Sequence, residues 1–471
     1  MNILEFFSKN KKLILLYCLS LAVFSLIDKV LGIGMIFIFF LVSIFFFFID
    51  KYKEEKQKKV LGALFLIVFF LHVLAVLFLY YTGFQPFSGG YGDYVVYQQQ
   101  AQEIAARVHQ GNFSLQGIGI SHYYSVIVGY IYSLTVPDML IGQLFNAWLV
   151  ALTVIFIYLI VYEMGGTEKD GFLTGLIAGV YPSLVFYGSL LLKDALVVLL
   201  SMFGLFLTIK IIKNFSALKF LGFFIVLTSL IHFRFYIGYA LMFSFIISWF
   251  LMSNFNLKKR IIYGIIMVFI LGFSTQFSGS GYYGYSDFKR FLNTKTITYY
   301  REIVYAPPAK ILSVQSQTTN TPQTNTPQTN TNSLSERRTS SVVVKTGFES
   351  PLIFAKNTAL SFIYSFLGPF PWQLTRLKHI LVLPEVIVWY FLLFFIIKGI
   401  IRSIKKQNKI IFPLIIFSIL VIGALSLFMT NFGIITRIRI PAFLALICLF
   451  PFGLEKIKNI KFPLLNKIFT I

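Results

Sequence analysis

Ionisable residues that could do chemistry stand at the ends of apolar segments in this sequence. Asp93 sits in "SGGYGDYVVYQQQAQEIAARVHQGNF", residues 88–113. Lys193 and Asp194 lie in "SLLLKDALVVLL", His232 and Arg234 in "LIHFRFYIGY", and Arg437 and Arg439 in "NFGIITRIRIPAF". A carboxylate can take a proton from a hydroxyl while cations stabilise a phosphate leaving group. Arginine suits the second task because its planar fork meets phosphate with two parallel bonds. A polyprenyl-phosphate-linked sugar presents such a phosphate at a membrane surface, with its lipid tail between the spans. Simpler readings stand beside this one. Asp93 and Asp194 could each cap the helix that follows, Arg234 could snorkel to the interface, and Arg437 and Arg439 could meet phospholipid headgroups.

The elements that carry these residues are membrane helices. The chain has 471 residues, 57% hydrophobic and only 13% charged, whereas soluble domains carry about a quarter charged residues. Apolar stretches near the ~20 residues needed to span hydrocarbon recur along most of the chain. The net charge of +23 does not indicate nucleic acid, since the basic residues form short clusters between spans, the cytoplasmic signature of a polytopic protein. Cys18 and Cys448 both fall in apolar runs, so no disulfide framework or thiol metal site is indicated. The basic N-terminus lacks a small-residue cleavage site after its first apolar run, and 13–27 is read as a retained span.

The predicted architecture is an all-α polytopic membrane protein with about 12 transmembrane helices. The candidate spans are 13–27, 31–49, 60–81, 141–163, 171–188, 194–212, 218–233, 236–253, 260–277, 380–398, 411–428 and 440–453. With both termini cytoplasmic, "KYKEEKQKK", "NLKKR" and "KGIIRSIKKQNK" fall inside. Residues 122–136 and 356–371 would each invert that charge pattern by crossing. They are expected to be re-entrant or surface-lying helices on the external face. The chain then divides into an N-terminal pair of spans (1–59), a membrane core (60–277) with an external loop at 82–140, a large external loop (278–379) and a C-terminal group of spans (380–471). Within 314–340 the tandem "TNTPQTNTPQTNTNS" is polar and proline-punctuated, and is expected to be a disordered linker.

All the candidate residues sort to the external side. Downstream of Asp93, Ala101, Ile104, Ala105 and Val108 recur at helical spacing. This predicts a helix lying flat at the membrane surface and ended by Gly111 in a left-handed cap.

These motifs, in this order and with this sidedness, resemble the GT-C superfamily of integral membrane glycosyltransferases. The bacterial branches related to protein O-mannosyltransferases and to the aminoarabinose transferases of lipid A are the most similar. "GDYVVYQQQAQEIAARVHQGNF" supplies the acidic residue Asp93 of the first large external loop, then Tyr97, Ala101 and the closing Gly111. "HYYSVIVGYIYSL" resembles the family's half-buried external helix, and "GVYPSLVFYGSLLLKDALVVLL" the segment bearing a second external aspartate, Asp194. The resemblance runs from about residue 82 to 240. It departs where this chain has Asp93–Tyr94 in place of an Asp–Glu pair, and in two extra spans before the core.

The resemblance implies a GT-C-like bundle and inverting transfer from a polyprenyl-phosphate sugar to a hydroxyl of a glycan, lipid or protein acceptor. In it Asp93 is the general base, and Asp194 orients the acceptor or shares a divalent cation with Asp93, Mg²⁺ or Mn²⁺ being suited to hard oxygen ligands. Arg234, Arg437 and Arg439 hold the lipid phosphate with Lys193 nearby, while Tyr97, His122 and Tyr123 line the substrate side. The setting is the inner membrane of a bacterial or archaeal cell.

The nearest alternative is an O-antigen-type polysaccharide polymerase or ligase acting on a lipid-linked oligosaccharide, to which "FLGPFPWQ" and "RIRIP" would also be suited. A transporter or flippase would place polar groups near the bilayer midplane and show internal repeats. Neither feature is present in the sequence. A non-catalytic assembly role is the remaining class.

Overall fold

In hydrocarbon every backbone N–H must find its partner within its own segment, so long apolar runs fold as helices. A computed structural model describes residues 25–26, 28–51, 54–85, 92–118, 123–252, 255–269, 351–370, 372, 382–428 and 432–454, and among these it contains helices and no strand. The first part of the chain forms α1 (Lys29–Ile49), α2 (Glu55–Thr82), α3 (Asp93–His109), α4 (Tyr124–Leu134), α5 (Met139–Glu163), α6 (Glu168–Gly179), α7 (Pro182–Gly188) and α8 (Asp194–Lys213). Next come α9 (Ala217–Phe233), α10 (Phe235–Met252) and α11 (Leu257–Val268). The C-terminal part holds α12 (Pro351–Leu367), α13 (Leu383–Lys405), α14 (Phe412–Phe428), α15 (Phe432–Ile438), α16 (Ile440–Ile447) and α17 (Phe450–Gly453).

Seven described helices are long and apolar enough to cross a membrane: α1, α2, α5, α8, α10, α13, and α14 with the short turn before it. The α6–α7 pair makes eight if counted as one span bent by 60°. Most of the expected span 13–27 and the end of 260–277 lie outside the described residues. The expected span 218–233 is a 17-residue helix, and 440–453 is broken into α16 and α17 at Cys448–Leu449. The 314–340 repeat is outside the described residues as well.

Helix α5 is the axle of the bundle, packing against α1, α2, α4, α6, α7 and α8. Helix α8 links it to α9, α10 and α16, and α14 joins α10, α12 and α16. One end of the bundle carries basic clusters and their pairs, Lys56 with Glu168 at 3.1 Å and Lys210 and Lys213 with Glu163 at 2.8 and 2.9 Å. At the bend, Pro182 starts α7 and α6 stops at Gly179, whose carbonyl takes a hydrogen bond from His72 Nε2 at 2.9 Å. A buried histidine on α2 thus satisfies an acceptor that the helix break releases.

The short helices α3 and α4 sit at the opposite end. Gly111 adopts φ +75° and ends α3, with Asn112 N–H reaching back to the Arg107 carbonyl at 2.9 Å, as the sequence predicts. The apolar face of α3 does not lie open toward lipid. Ala101, Ile104 and Ala105 are buried, and α3 packs closely on α4. The glutamines of "QQQAQ" explain the fit: Gln98 and Gln102 donate to the Pro137 carbonyl at 3.3 and 3.0 Å, and Tyr132 OH donates to Gln98 at 2.5 Å. Gln100 accepts from Ser125 at 2.9 Å.

The α3–α4 contact is close enough to require glycine at residue 129, where an added Cβ would meet the Ile104 side chain at 2.7 Å. Gly129→Ala is therefore expected to destabilise the protein by about 1–3 kcal/mol. Unfolding midpoints in detergent would test this, and an unchanged midpoint would mean that α3 is not seated on α4.

Candidate functional site

Neither aspartate is a helix cap. Gly92 is the cap residue of α3 and Lys193 that of α8, and neither makes a side-chain capping bond. Asp93 and Asp194 are instead the first helical residues, where the positive end of each helix favours a carboxylate. Their oxygens turn toward arginines. Arg437 places Nε 2.5 Å from Asp194 Oδ2 and Nη1 2.8 Å from Asp93 Oδ2. Arg234 places Nη2 2.6 Å from Asp194 Oδ1, and its Nη1 donates to Tyr236 OH at 2.6 Å.

Four sequence-distant segments thus meet at one point, Asp93 and Arg437 standing 344 positions apart. The two carboxylates have different access to solvent: the Asp194 side chain is 6% exposed and that of Asp93 54%. Burial opposes the charge on Arg437, but Asp194 and Asp93 more than offset it and hold its proton more firmly than in a free arginine. Lys193 is buried beside them, and burial together with the Arg234 charge lowers its pKa to about 8. Two carboxylates against three cations leave the group with one positive charge in excess.

The loop that delivers Lys193 and Asp194 is anchored from α5. Asn146, buried in that helix, donates from Nδ2 to the carbonyls of Leu190 and Leu192 at 2.7 and 2.8 Å. Its Oδ1 accepts from Tyr124 OH on α4 at 2.8 Å. Tyr97 lies edge-on to Tyr124 with ring centroids 5.5 Å apart, and its hydroxyl pKa is raised by burial and then by Asp93. Tyr123 is exposed, with its ring 6.0 Å from that of His232, whose Nδ1 meets the Thr228 carbonyl at 2.8 Å. His122 lies outside the described residues.

Arg439 is not part of this group. It is 1% exposed and points the other way, donating from Nη1 to the Gly368 and Ser365 carbonyls at 2.5 and 3.3 Å and pairing through Nη2 with Glu385 at 3.3 Å. Trp389 Nε1 and Tyr390 OH take the neighbouring carbonyls of Phe366 and Leu367 at 3.0 and 2.9 Å. Together these three side chains close the C-terminal end of α12, whose last carbonyls have no partner within the helix. Glu385 also accepts from Tyr181 OH at 3.1 Å and from Ser183 Oγ.

Asn146, Tyr236 and Glu385 join the candidate residues from the structure alone. Asn146 and Glu385 each stand as a lone polar residue within an apolar run, "LFNAWLVAL" and "LVLPEVIVWY", which is the signal that could have found them.

Both Asp194 oxygens accept from arginines, Arg437 stands between the carboxylates, and no group of three His, Cys, Asp or Glu side chains gathers among the described residues. Compared with models of known protein families and with curated protein sequences, the chain matches none.

Replacing Asn146 with Leu would leave two buried carbonyls and the Tyr124 hydroxyl without their partner. The expected loss is about 1–3 kcal/mol of stability, together with misplacement of Lys193 and Asp194. Chemical unfolding of the detergent-solubilised variant would measure the first, and wild-type stability would remove Asn146 as the anchor.

Proposed function

We propose that the protein is a glycosyltransferase of the GT-C type, moving a sugar from a polyprenyl-phosphate donor to an acceptor hydroxyl at one membrane face. The observation that carries this reading is the meeting of a solvent-reachable carboxylate, Asp93, with Arg437 and Lys193 at one end of an apolar helical bundle. A base and phosphate-binding cations at the edge of hydrocarbon are what transfer from a lipid phosphate requires. Asp93 takes the proton of the acceptor hydroxyl. The hydroxyl oxygen attacks the anomeric carbon from the side opposite the phosphate, the carbon–oxygen bond to phosphate breaks, and its electron pair leaves with the lipid phosphate. The configuration at the anomeric carbon inverts. Arg437 and Lys193 hold the leaving charge, and Asp194 acts as a positioning residue by fixing Arg437 and Arg234.

In this reading the site faces the outside of a bacterial or archaeal inner membrane, in a bundle of about 12 spans with both termini cytoplasmic. The basic clusters at the far end of the bundle support that orientation.

Wild type and Asp93→Asn should be compared for release of polyprenyl phosphate from a panel of lipid-linked sugars. Turnover is expected to fall by about 10²–10⁴-fold while donor binding survives. Equal turnover would sink Asp93 as the base and favour the arginine-centred polymerase reading. A second expectation concerns pH. The charge on Lys193 is full below about 8 and is lost as pH rises through that value, so donor affinity should fall there in the wild type. In Lys193→Arg the charge persists and the fall should disappear; an identical pH profile would remove Lys193 from the phosphate site.

A further inference from the structure

Arg437 is held unequally by its partners. Its Nε is committed to Asp194, a sealed carboxylate whose other oxygen takes Arg234. Its Nη1 reaches Asp93, which is half exposed and accepts through one oxygen. Its Nη2 is buried and has no partner among the described residues. An ion pair with an exposed partner is weak, worth at most about 1 kcal/mol. The Nη1–Nη2 edge of a guanidinium is the fork that grips two oxygens of a phosphate in parallel. A phosphate arriving there would complete the bonding of Nη2 and leave the Nε–Asp194 bond intact. It would displace Asp93 alone.

We propose that Arg437 works as an exchange switch: without a ligand its Nη1 holds Asp93, and the phosphate of a membrane lipid takes the Nη1–Nη2 edge and releases Asp93. Only hydrogen bonds change hands. The single excess positive charge of the group is neutralised by one phosphodiester charge. This rests on the phosphate-binding part of the function proposed above and adds an order to it. The base is freed only once the donor is seated, so the acceptor hydroxyl is not deprotonated ahead of it.

The test is binding, not turnover. The full-length protein in nanodiscs of zwitterionic lipid is titrated with labelled polyprenyl phosphate and, separately, with inorganic phosphate. Asp93→Asn removes the competing carboxylate at an exposed position and is expected to tighten phosphate binding about three- to fivefold, the equivalent of one exposed ion pair. In an Arg437→Gln background the same substitution should have no effect. Tightening with the lipid phosphate alone assigns the ligand to the membrane, and tightening with both shows that the headgroup suffices. Unchanged or weaker binding in Asp93→Asn overturns the exchange, as does a tightening that persists without Arg437, which would be only a change of net charge. If the tightening is seen but no sugar is ever transferred, the reaction proposed above falls and the exchange stands.

Discussion

The buried contact of Asp194 with two arginines is the constraint on which the candidate site depends. A carboxylate this sealed is costly in a low-dielectric setting unless both oxygens are paired, and removing either arginine leaves one buried oxygen without its partner. Arg234 arrives from the break between α9 and α10, and Arg437 from the end of α15. The packing of α8 against α9, α10 and α16 must therefore bring those ends together before the charges can be buried. Asn146 serves the same demand from the opposite side by fixing the turn that presents Asp194.

Around that fixed pair the other side chains fall into two groups. One lies toward solvent, where Asp93 and Tyr123 are exposed at the start of α3 and the turn before α4, with Lys193 buried just beneath them. The other faces inward, where Arg439, Glu385, Tyr181 and Ser183 satisfy one another and the end of α12. Tyr187 connects the two, its hydroxyl donating to the Gly433 carbonyl at 3.2 Å in the helix that carries Arg437. The segment from Phe432 to Ile440 is thus gripped on both sides, and the Nη1–Nη2 edge of Arg437 is aimed by contacts made well away from it.

Much of this was legible in the sequence. Charged residues at the ends of apolar runs are expensive to place, so Asp93, Asp194, Arg234 and Arg437 stood out before any fold was known. The helix from Asp93 and its glycine stop were readable from spacing alone. What was not readable was pairing. Arg437 and Arg439 are the same residue type two positions apart, and nothing local says that a helix break between them sends one to the aspartates and the other to Glu385. Capping was a fair expectation for both aspartates, because a carboxylate at a helix start looks the same in sequence whether it bonds its own amides or an arginine 243 or 344 residues away. The count of crossings was also beyond the pattern, since hydropathy does not separate a crossing helix from the bent α6–α7 pair or the broken α16–α17 pair.

The distance along the chain between Asp93 and Arg437 has a consequence for biosynthesis. Chains are made and inserted from the N-terminus, so Asp93, Lys193, Asp194 and Arg234 all enter the membrane while the segment bearing Arg437 is still untranslated. During that interval Asp194 has a single arginine, and Asp93 has none from the far end of the protein. The last charge to arrive closes the group. Completion of the site is thereby coupled to completion of the bundle, and a partly inserted chain carries the carboxylates without the cation that joins them.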